Sequence, residues 1–193
     1  LAIDQNNYVY ITGITQSSDF PVTENSYKTK VTGGLSSAFI TKFDLEKDGE
    51  EGVLYSSLLC GNGEEPGYGI AVDLEENVYI TGTTNSREDF PISENAFQKN
   101  IYAIEGSGFF IKLDTKLCGD NGLIYGTYLG GNGSDVCSDI KIDSNGYAYI
   151  CGFTTSTDFP VFGFRPKRGS RWCKAKLPKP RISIRSPFES ASI

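Results

Sequence analysis

Apolar and polar residues alternate along short stretches of this chain, and Gly, Asn or Asp separate the stretches. In the middle of the sequence the alternation covers Tyr68 to Asp73, Val78 to Thr84, Gly108 to Asp114 and Leu123 to Leu129. β-Branched and aromatic residues fill these stretches, which is typical of strands that bury one or both faces. The pattern therefore predicts four strands here, with a tight turn at Leu74 to Asn77.

The same pattern is written three times. The triplet Asp-Phe-Pro occurs at Asp19, Asp89 and Asp158, in steps of 70 and 69 residues. A fixed period of this length indicates stacked supersecondary units that share a core. The other equivalent positions keep the same steps: Asp4, Asp73 and Asp143; Gly13, Gly82 and Gly152; Tyr55 and Tyr125.

Four antiparallel strands per unit, repeated in series, predict an all-β fold made of β-propeller blades. The chain holds about two and a half blades: blade one at 1–59, blade two at 68–129 and half of blade three at 138–161. A helical solenoid is excluded because no segment carries a period of 3.6 residues. A β-sandwich could use such strands but would not explain the repeat.

The repeated unit resembles the SBBP β-propeller repeat over residues 1–161. The resemblance implies a propeller that forms part of a large bacterial or archaeal protein, exported or on the cell surface, and it implies no activity. In the second copy, Cys60 replaces a Gly of the motif and Glu65 replaces an Asp. The best copy of the motif is carried by Tyr125, Tyr128, Leu129, Gly130, Gly131, Gly133, Asp135, Ile140, Asp143, Gly146, Tyr149, Ile150, Gly152 and Asp158 to Val161.

Charge divides the chain near Val161. Residues 1–161 contain 9 Lys+Arg against 23 Asp+Glu, whereas residues 162–193 contain 9 Lys+Arg and the single acid Glu189. The acidic body argues against nucleic-acid binding, which requires a basic surface. The basic, proline-containing tail is predicted to be irregular. Its alternative interpretation is an anchor for acidic polymers or for a membrane surface.

Two residue types are missing from the whole sequence, His and Met. Without His, a Ser-His-Asp triad, a Cys-His pair and a His-containing zinc site cannot be built within this chain. Without Met, the chain is expected to be a processed product or a piece of a longer protein. We find no apolar run of the roughly 18 residues that span a bilayer, and no secretory signal.

Carboxylates on the loops are the candidate metal ligands. Asp19, Asp89 and Asp158 precede the Phe-Pro pairs, and the loops between blades, which emerge on the same face of a propeller, add Glu65 and Asp135. Such oxygen ligands suit Ca²⁺, and we expect no other cofactor. The favoured interpretation is structural: each Asp of the triplet caps its own loop, Phe plugs the space between blades, and Pro fixes the turn.

The chain has five cysteines and no C-x-x-C spacing, which disfavours zinc and thioredoxin-like sites. Cys137 and Cys151 flank the hairpin at Asp143 and are predicted to lie almost opposite each other. They are therefore a candidate disulfide in an oxidising compartment. The alternative is a pair of small buried thiols.

Three functional hypotheses follow in order of preference. The first is a non-catalytic scaffold or adhesion module, whose open blades are covered by further blades from a longer chain or from an oligomer. The second is a glycan- or peptide-binding module, with an aromatic cluster such as Phe97 and Tyr102 in the loops of one blade. The third is a hydrolase or lyase that uses two carboxylates with opposed pKa behaviour, drawn from Glu64, Glu65, Asp89 and Asp135.

Overall fold

The computed structural model describes residues 1–160 together with the backbone of two strands in the tail, residues 174–177 and 183–185. The fold is all-β, and its strands form three antiparallel sheets of four strands each. The predictions that concern the rest of the tail lie outside the described residues.

The first two sheets contain the predicted strands in chain order, with each strand paired to the next. Each also carries one short 3₁₀ turn before its last strand, at Gly49–Gly52 and at Gly119–Gly122. Sheet one consists of β1 (Ala2–Ile3), β2 (Val9–Thr15), β3 (Ser37–Phe43) and β4 (Val53–Leu59). Sheet two consists of β5 (Gly67–Val72), β6 (Asn77–Thr84), β7 (Ser107–Asp114) and β8 (Leu123–Leu129).

The third sheet differs from the half blade predicted for it. It consists of β9 (Asp135–Ile142), β10 (Ala148–Thr154), β11 (Lys174–Leu177) and β12 (Ser183–Arg185). The tail therefore contributes two strands to the sheet, although its composition had indicated an irregular segment. Strand pairing needs only backbone groups, so the many Lys and Arg residues of the tail do not prevent it. β11 adds to β10 with Ala148 opposite Leu177.

One aspartate holds the turn of each hairpin that joins the first two strands of a sheet. In sheet two, Asp73 Oδ1 accepts hydrogen bonds from the N–H groups of Glu75 and Asn77, at 3.0 and 2.9 Å. Its Oδ2 accepts the hydroxyl of Tyr79 at 2.7 Å. Asp4 with Tyr10, and Asp143 with Tyr149, repeat the arrangement. The recurrence of Asp and Tyr six residues apart therefore follows from this turn.

The sheets stack face to face, and each interface is an apolar core. Between sheets one and two the core contains Tyr10 and Ile40 from the first sheet and Ile80, Phe109 and Ile111 from the second. All five side chains are buried. Sheet two thus buries one face against sheet one, as the predicted blade packing requires.

The opposite face of sheet two packs on sheet three. Tyr79 and Phe110 meet Ile140, Ala148 and Ile150 in a second core. Sheet two is therefore covered on both faces, whereas within the described part of the chain sheets one and three each pack against another sheet on one face only. This geometry is that of three consecutive blades of a partial β-propeller.

The phenylalanine of the repeated triplet packs onto its own sheet. Phe90 lies with its ring centroid 5.0 Å from Phe109 and 5.8 Å from Tyr128. Phe20 takes the same position on Phe39, at 4.9 Å. Phe90 and Phe159 also belong to the cores between neighbouring sheets, as predicted for a plug between blades, whereas Phe20 lies partly exposed on the outer face of sheet one.

Candidate functional site

The loops that follow the second strand of a sheet meet the loops that enter that sheet, as the sequence analysis predicted for one face of a propeller. Between sheets two and three, the Gly133 N–H donates to Ser156 Oγ and the Asn132 N–H donates to Asp158 Oδ1, both at 2.8 Å. Thr157 and Asn132 add further hydrogen bonds. The entering loop is therefore fixed by the loop that carries the Asp-Phe-Pro triplet.

Glu65 and Asp135 are the equivalent buried carboxylates of this face. Glu65 accepts hydrogen bonds from Ser86 Oγ and from the N–H of Gly61. Asp135 Oδ2 accepts from Ser156 Oγ at 2.7 Å and from the Gly131 N–H at 2.8 Å. Burial raises the pKa of both carboxyl groups, against the opposing effect of these hydrogen bonds.

These two carboxylates are sealed from the surface, with 0% and 1% of Glu65 and Asp135 exposed. Oδ1 of Asp135 has no hydrogen-bond partner within the described part of the chain. Their donors are a backbone N–H of the entering loop and a serine hydroxyl of the loop that follows the second strand, so each carboxylate ties the two loops together. This position gives a surface ligand no access to them.

The aspartates of the triplet are all exposed, but they occupy different places. Asp158 accepts a hydrogen bond from the backbone of the entering loop, whereas the predicted cap was a hydrogen bond to the backbone of its own loop. Before Asp89 the second copy has one extra residue, Glu88, and Asp89 adopts a left-handed φ of 60°. As a result, the carbonyl of Glu88 lies over Gly61. At the equivalent Gly131, this place is taken by the carboxylate of Asp158. The extra residue thus withdraws the Asp89 side chain from this position.

The candidate calcium ligands do not converge. Across residues 1–160, no three side chains of His, Cys, Asp or Glu are placed to hold one metal ion. Glu65 and Asp135 are buried in separate loops, and for the exposed Asp19 the structure gives no hydrogen-bond partner. Calcium binding stays a prediction from the sequence.

The candidate disulfide is not formed. Cys137 lies opposite Gly152 on the strand pair β9–β10, while Cys151 lies opposite Asp139. Because adjacent residues of β10 point to opposite faces, Cys137 faces the core with sheet two and Cys151 faces outward. The sequence placed the two cysteines in the same hairpin but could not show the bulge that sets this register.

A groove opens on the loop face between sheets two and three, and it encloses about 410 Å³. It contains the two aromatic residues that the sequence analysis singled out, Phe97 and Tyr102. Tyr102 is 68% exposed, whereas Phe97 is partly buried. The remaining lining residues are Gln98, Lys99, Asn100, Gly130, Gly131, Asp158 and Pro160.

The equivalent place between sheets one and two is filled by the protein itself. Lys28 Nζ donates to the carbonyl oxygens of Cys60 and Asp89, at 2.8 Å each. The hydroxyl of Thr32 donates to the carbonyl of Gly61 at 2.9 Å. A lysine thus bridges from the loop of one blade to the loop of the next.

In the open groove, the positions of Lys28 and Thr32 are occupied by Gln98 and Tyr102, each 70 residues further on. The Gln98 side chain turns back, accepting the N–H of Gly130 at 3.1 Å and donating to the Asn100 carbonyl at 2.9 Å. It does not reach the loop of Asp158. The repeat alignment carried this signal, since Lys28 and Thr32 are replaced by residues of different chemistry in the second copy.

Comparison with known proteins agrees with this architecture. Residues 67–91 and 124–160 match the SBBP family, described as a β-propeller repeat. No curated protein matches the chain. Among the residues that the structure describes, no helix has the length and apolar character needed to cross a membrane.

Proposed function

Because the chain carries SBBP β-propeller repeats, we propose that it is a non-catalytic binding scaffold of a larger exported or cell-surface protein. In this proposal further blades, supplied by a longer chain or by an oligomer, cover the two outer faces of the stacked sheets. The observation that carries it is the exposure of apolar side chains on those faces.

The outer face of sheet three presents Tyr149 and Phe153, which are 36% and 39% exposed. In sheet two the equivalent residues, Tyr79 and Thr83, face sheet three. The outer face of sheet one presents Ile3, which is 57% exposed. Among the residues that the structure describes, each outer face therefore carries apolar side chains like those of an inner face but has no sheet packed on it, and such surfaces favour association.

The recurring polar residues support a structural role over a catalytic one. Asp73 holds a turn and Glu65 holds a loop, and their counterparts Asp143 and Asp135 do the same in the next copy. A packing device must recur in every blade, whereas a catalytic group need not. Of the four carboxylates considered for a hydrolase or lyase, Glu65 and Asp135 are fully enclosed.

Sedimentation of the chain over a range of concentrations tests the scaffold proposal. We expect association that increases with concentration and that is reduced in the double variant Tyr149→Ser with Phe153→Ser. Leu45→Ser is the matched control, because Leu45 is 72% exposed but lies in a turn away from the stacked faces. A chain that stays monomeric at every concentration, with a sharp unfolding transition, contradicts the proposal.

The groove favours a second candidate function, the binding of a glycan or a peptide on the loop face. Tyr102 offers an exposed ring for stacking, and Asp158, Asn100 and Lys99 line the same groove with groups that can hydrogen-bond a sugar or a peptide. Glycan and peptide arrays probed with the wild type and with Tyr102→Thr test it. Signals that are equal for the two proteins would show that binding occurs elsewhere.

A further inference from the structure

We propose that the groove between sheets two and three binds a primary ammonium group, supplied by a lysine side chain of a partner protein. This inference rests on the second candidate function, ligand binding at the groove, and names the chemistry of the ligand. It is argued from the contrast between the two equivalent interfaces of this chain.

The interface between sheets one and two shows what the position accepts. There the ammonium of Lys28 lies between two backbone carbonyls, of Cys60 and Asp89, at 2.8 Å from each oxygen. These are short, charge-assisted hydrogen bonds, which are stronger than bonds between neutral groups. The site formed by the two loops is therefore suited to an ammonium group at the end of an alkyl chain.

The same two loops meet at the next interface, but no lysine from residues 1–160 takes the place of Lys28 there, since Gln98 occupies that position. By sequence position the corresponding carbonyls are those of Gly130 and Asp158, and both residues line the groove. Gln98 is shorter than Lys28 and uses its amide on Gly130 N and Asn100 O. The place of the internal ammonium is thus open toward the groove.

Two further differences favour a cation from outside. The carboxylate of Asp158 lines the groove, whereas the extra residue before Asp89 removes the equivalent carboxylate from the first interface. Tyr102 replaces Thr32 and presents an exposed ring, which attracts a cation to its face. The chain already uses this contact elsewhere, with Lys112 Nζ 4.7 Å from the Tyr79 ring centroid.

The shape of the position selects among cations. Two carbonyl acceptors placed around one nitrogen suit the compact ammonium of lysine, while the planar fork of arginine needs acceptors arranged side by side. Lys99 lies on the exposed rim and carries the same charge as the ligand. Removing that charge with Lys99→Gln should tighten binding.

The test is an NMR titration of the whole chain with the peptide acetyl-Gly-Lys-Gly-amide, and with the same peptide acetylated on the lysine Nε. We expect saturable shifts at Gly130 and Gly131 with the first peptide alone. Asp158→Asn should weaken binding about tenfold, because the ammonium then meets a neutral acceptor in place of a carboxylate. Tyr102→Thr should also weaken it.

Gln98→Lys is the decisive variant, because it recreates the residue that fills the first interface. The new lysine should occupy the groove and abolish binding, while thermal unfolding stays cooperative. Asp19→Asn, in an exposed loop away from the groove, should bind as the wild type does. A Gln98→Lys protein that folds and still binds the peptide overturns the inference.

Other outcomes separate this inference from the proposal on which it rests. Equal binding of the acetylated peptide, or of a neutral sugar, with shifts at Gly130 and Gly131, overturns the ammonium assignment and leaves the groove as a binding site. Preference for glucosamine over the lysine peptide overturns the assignment to a protein partner. No binding of any array or peptide ligand at the groove overturns both.

Discussion

The carboxylates of this chain show how similar residues acquire opposite properties from their surroundings. Burial raises the pKa of Glu65, because few groups around it carry a compensating charge. Burial acts in the same direction on Asp73, but hydrogen bonds from Asn77 and Tyr79 and the charge of Lys112 outweigh it and lower the pKa. Lys112 Nζ lies 3.2 Å from Asp73 Oδ2.

These shifts predict opposite effects on stability as pH changes. A raised native pKa contributes stability that is fully present below the unfolded value, about 4.5 for Glu65, and that is lost as pH rises through the native pKa. A lowered native pKa, as for Asp73, contributes stability above the unfolded value, 3.8, and loses it as pH falls through the native pKa.

Denaturant unfolding of two variants over a series of pH values measures this. Glu65→Gln should lose stability more steeply than the wild type on acidification, because it lacks the group that gains stability when protonated. Asp73→Asn should show a flatter profile than the wild type. If both variants show a free energy of unfolding that changes with pH in parallel with the wild type, the pKa shifts assigned to Glu65 and Asp73 are refuted.

Phe90 and Phe20 occupy the same repeat position with different burial, which makes them a matched pair. Phe90 is 6% exposed in the core between sheets one and two, whereas Phe20 lies partly exposed on the outer face of sheet one. Phe90→Ala should lower the free energy of unfolding by about 3–5 kcal/mol, as expected for a buried phenylalanine. Phe20→Ala should cost less than half of that in denaturant unfolding.

If Phe20→Ala is as costly as Phe90→Ala, the outer face of sheet one is covered in solution. In that case the exposure of sheet one in the structure would not describe the chain in solution.

At the scale of strands, the missing side chain of a glycine lets neighbouring segments of the chain approach closely. A Cβ on Gly82 would lie against the Pro66 carbonyl oxygen, well inside van der Waals distance. At the equivalent Gly13 the nearest atom is Phe39 Cε1, at 2.9 Å, and that ring lies on the open face. Glycine is thus required at position 82 because a backbone oxygen lies beside it, whereas at position 13 the neighbouring atom belongs to a side chain that can move.

Gly82→Ala should therefore destabilise the chain by about 3 kcal/mol, at the upper end for an overpacked core. Gly13→Ala should lower the free energy of unfolding by less than about 1 kcal/mol, as small substitutions at a surface do. Thermal unfolding of the two variants checks the difference. Equal losses would contradict this difference, because the surroundings of Gly13 in β2 would then be as rigid as those of Gly82 in β6.

The strands of sheets one and two could be predicted because their alternation is regular and their turns are rich in Gly, Asn and Asp. The predicted Val78 to Thr84 and Leu123 to Leu129 differ from β6 and β8 by at most one residue. β11 was not predicted, because the alternation in Lys174–Leu177 covers only four residues and lies within a proline-containing tail. Its pairing with β10 depends on a partner strand far away in sequence.

The groove was only partly predictable. Phe97 and Tyr102 were identified as a possible aromatic cluster, and the structure brings both to one groove. The contribution of Gln98 and Asp158 depends on which loops face each other across an interface, and a single copy of the repeat does not contain that information. Comparing Lys28 with Gln98 across copies was the only sequence signal.

At the scale of the whole molecule, two apolar cores alternate with three sheets. The sheets therefore differ in how well their amide protons are protected from exchange. Sheet two is covered on both faces, by the core containing Ile80 and by the core containing Tyr79. Sheets one and three each have an uncovered face. Amide protons in strands that are buried on both faces exchange only through large openings of the structure.

Hydrogen–deuterium exchange of the whole chain, followed by mass spectrometry, tests this order most directly. The stacked arrangement predicts the slowest exchange in β6 and β7, with faster exchange in β2 and β3 and in β9 and β10. Exchange in β2 or β10 that is as slow as in β6 would contradict it, because the middle sheet would then have no special protection.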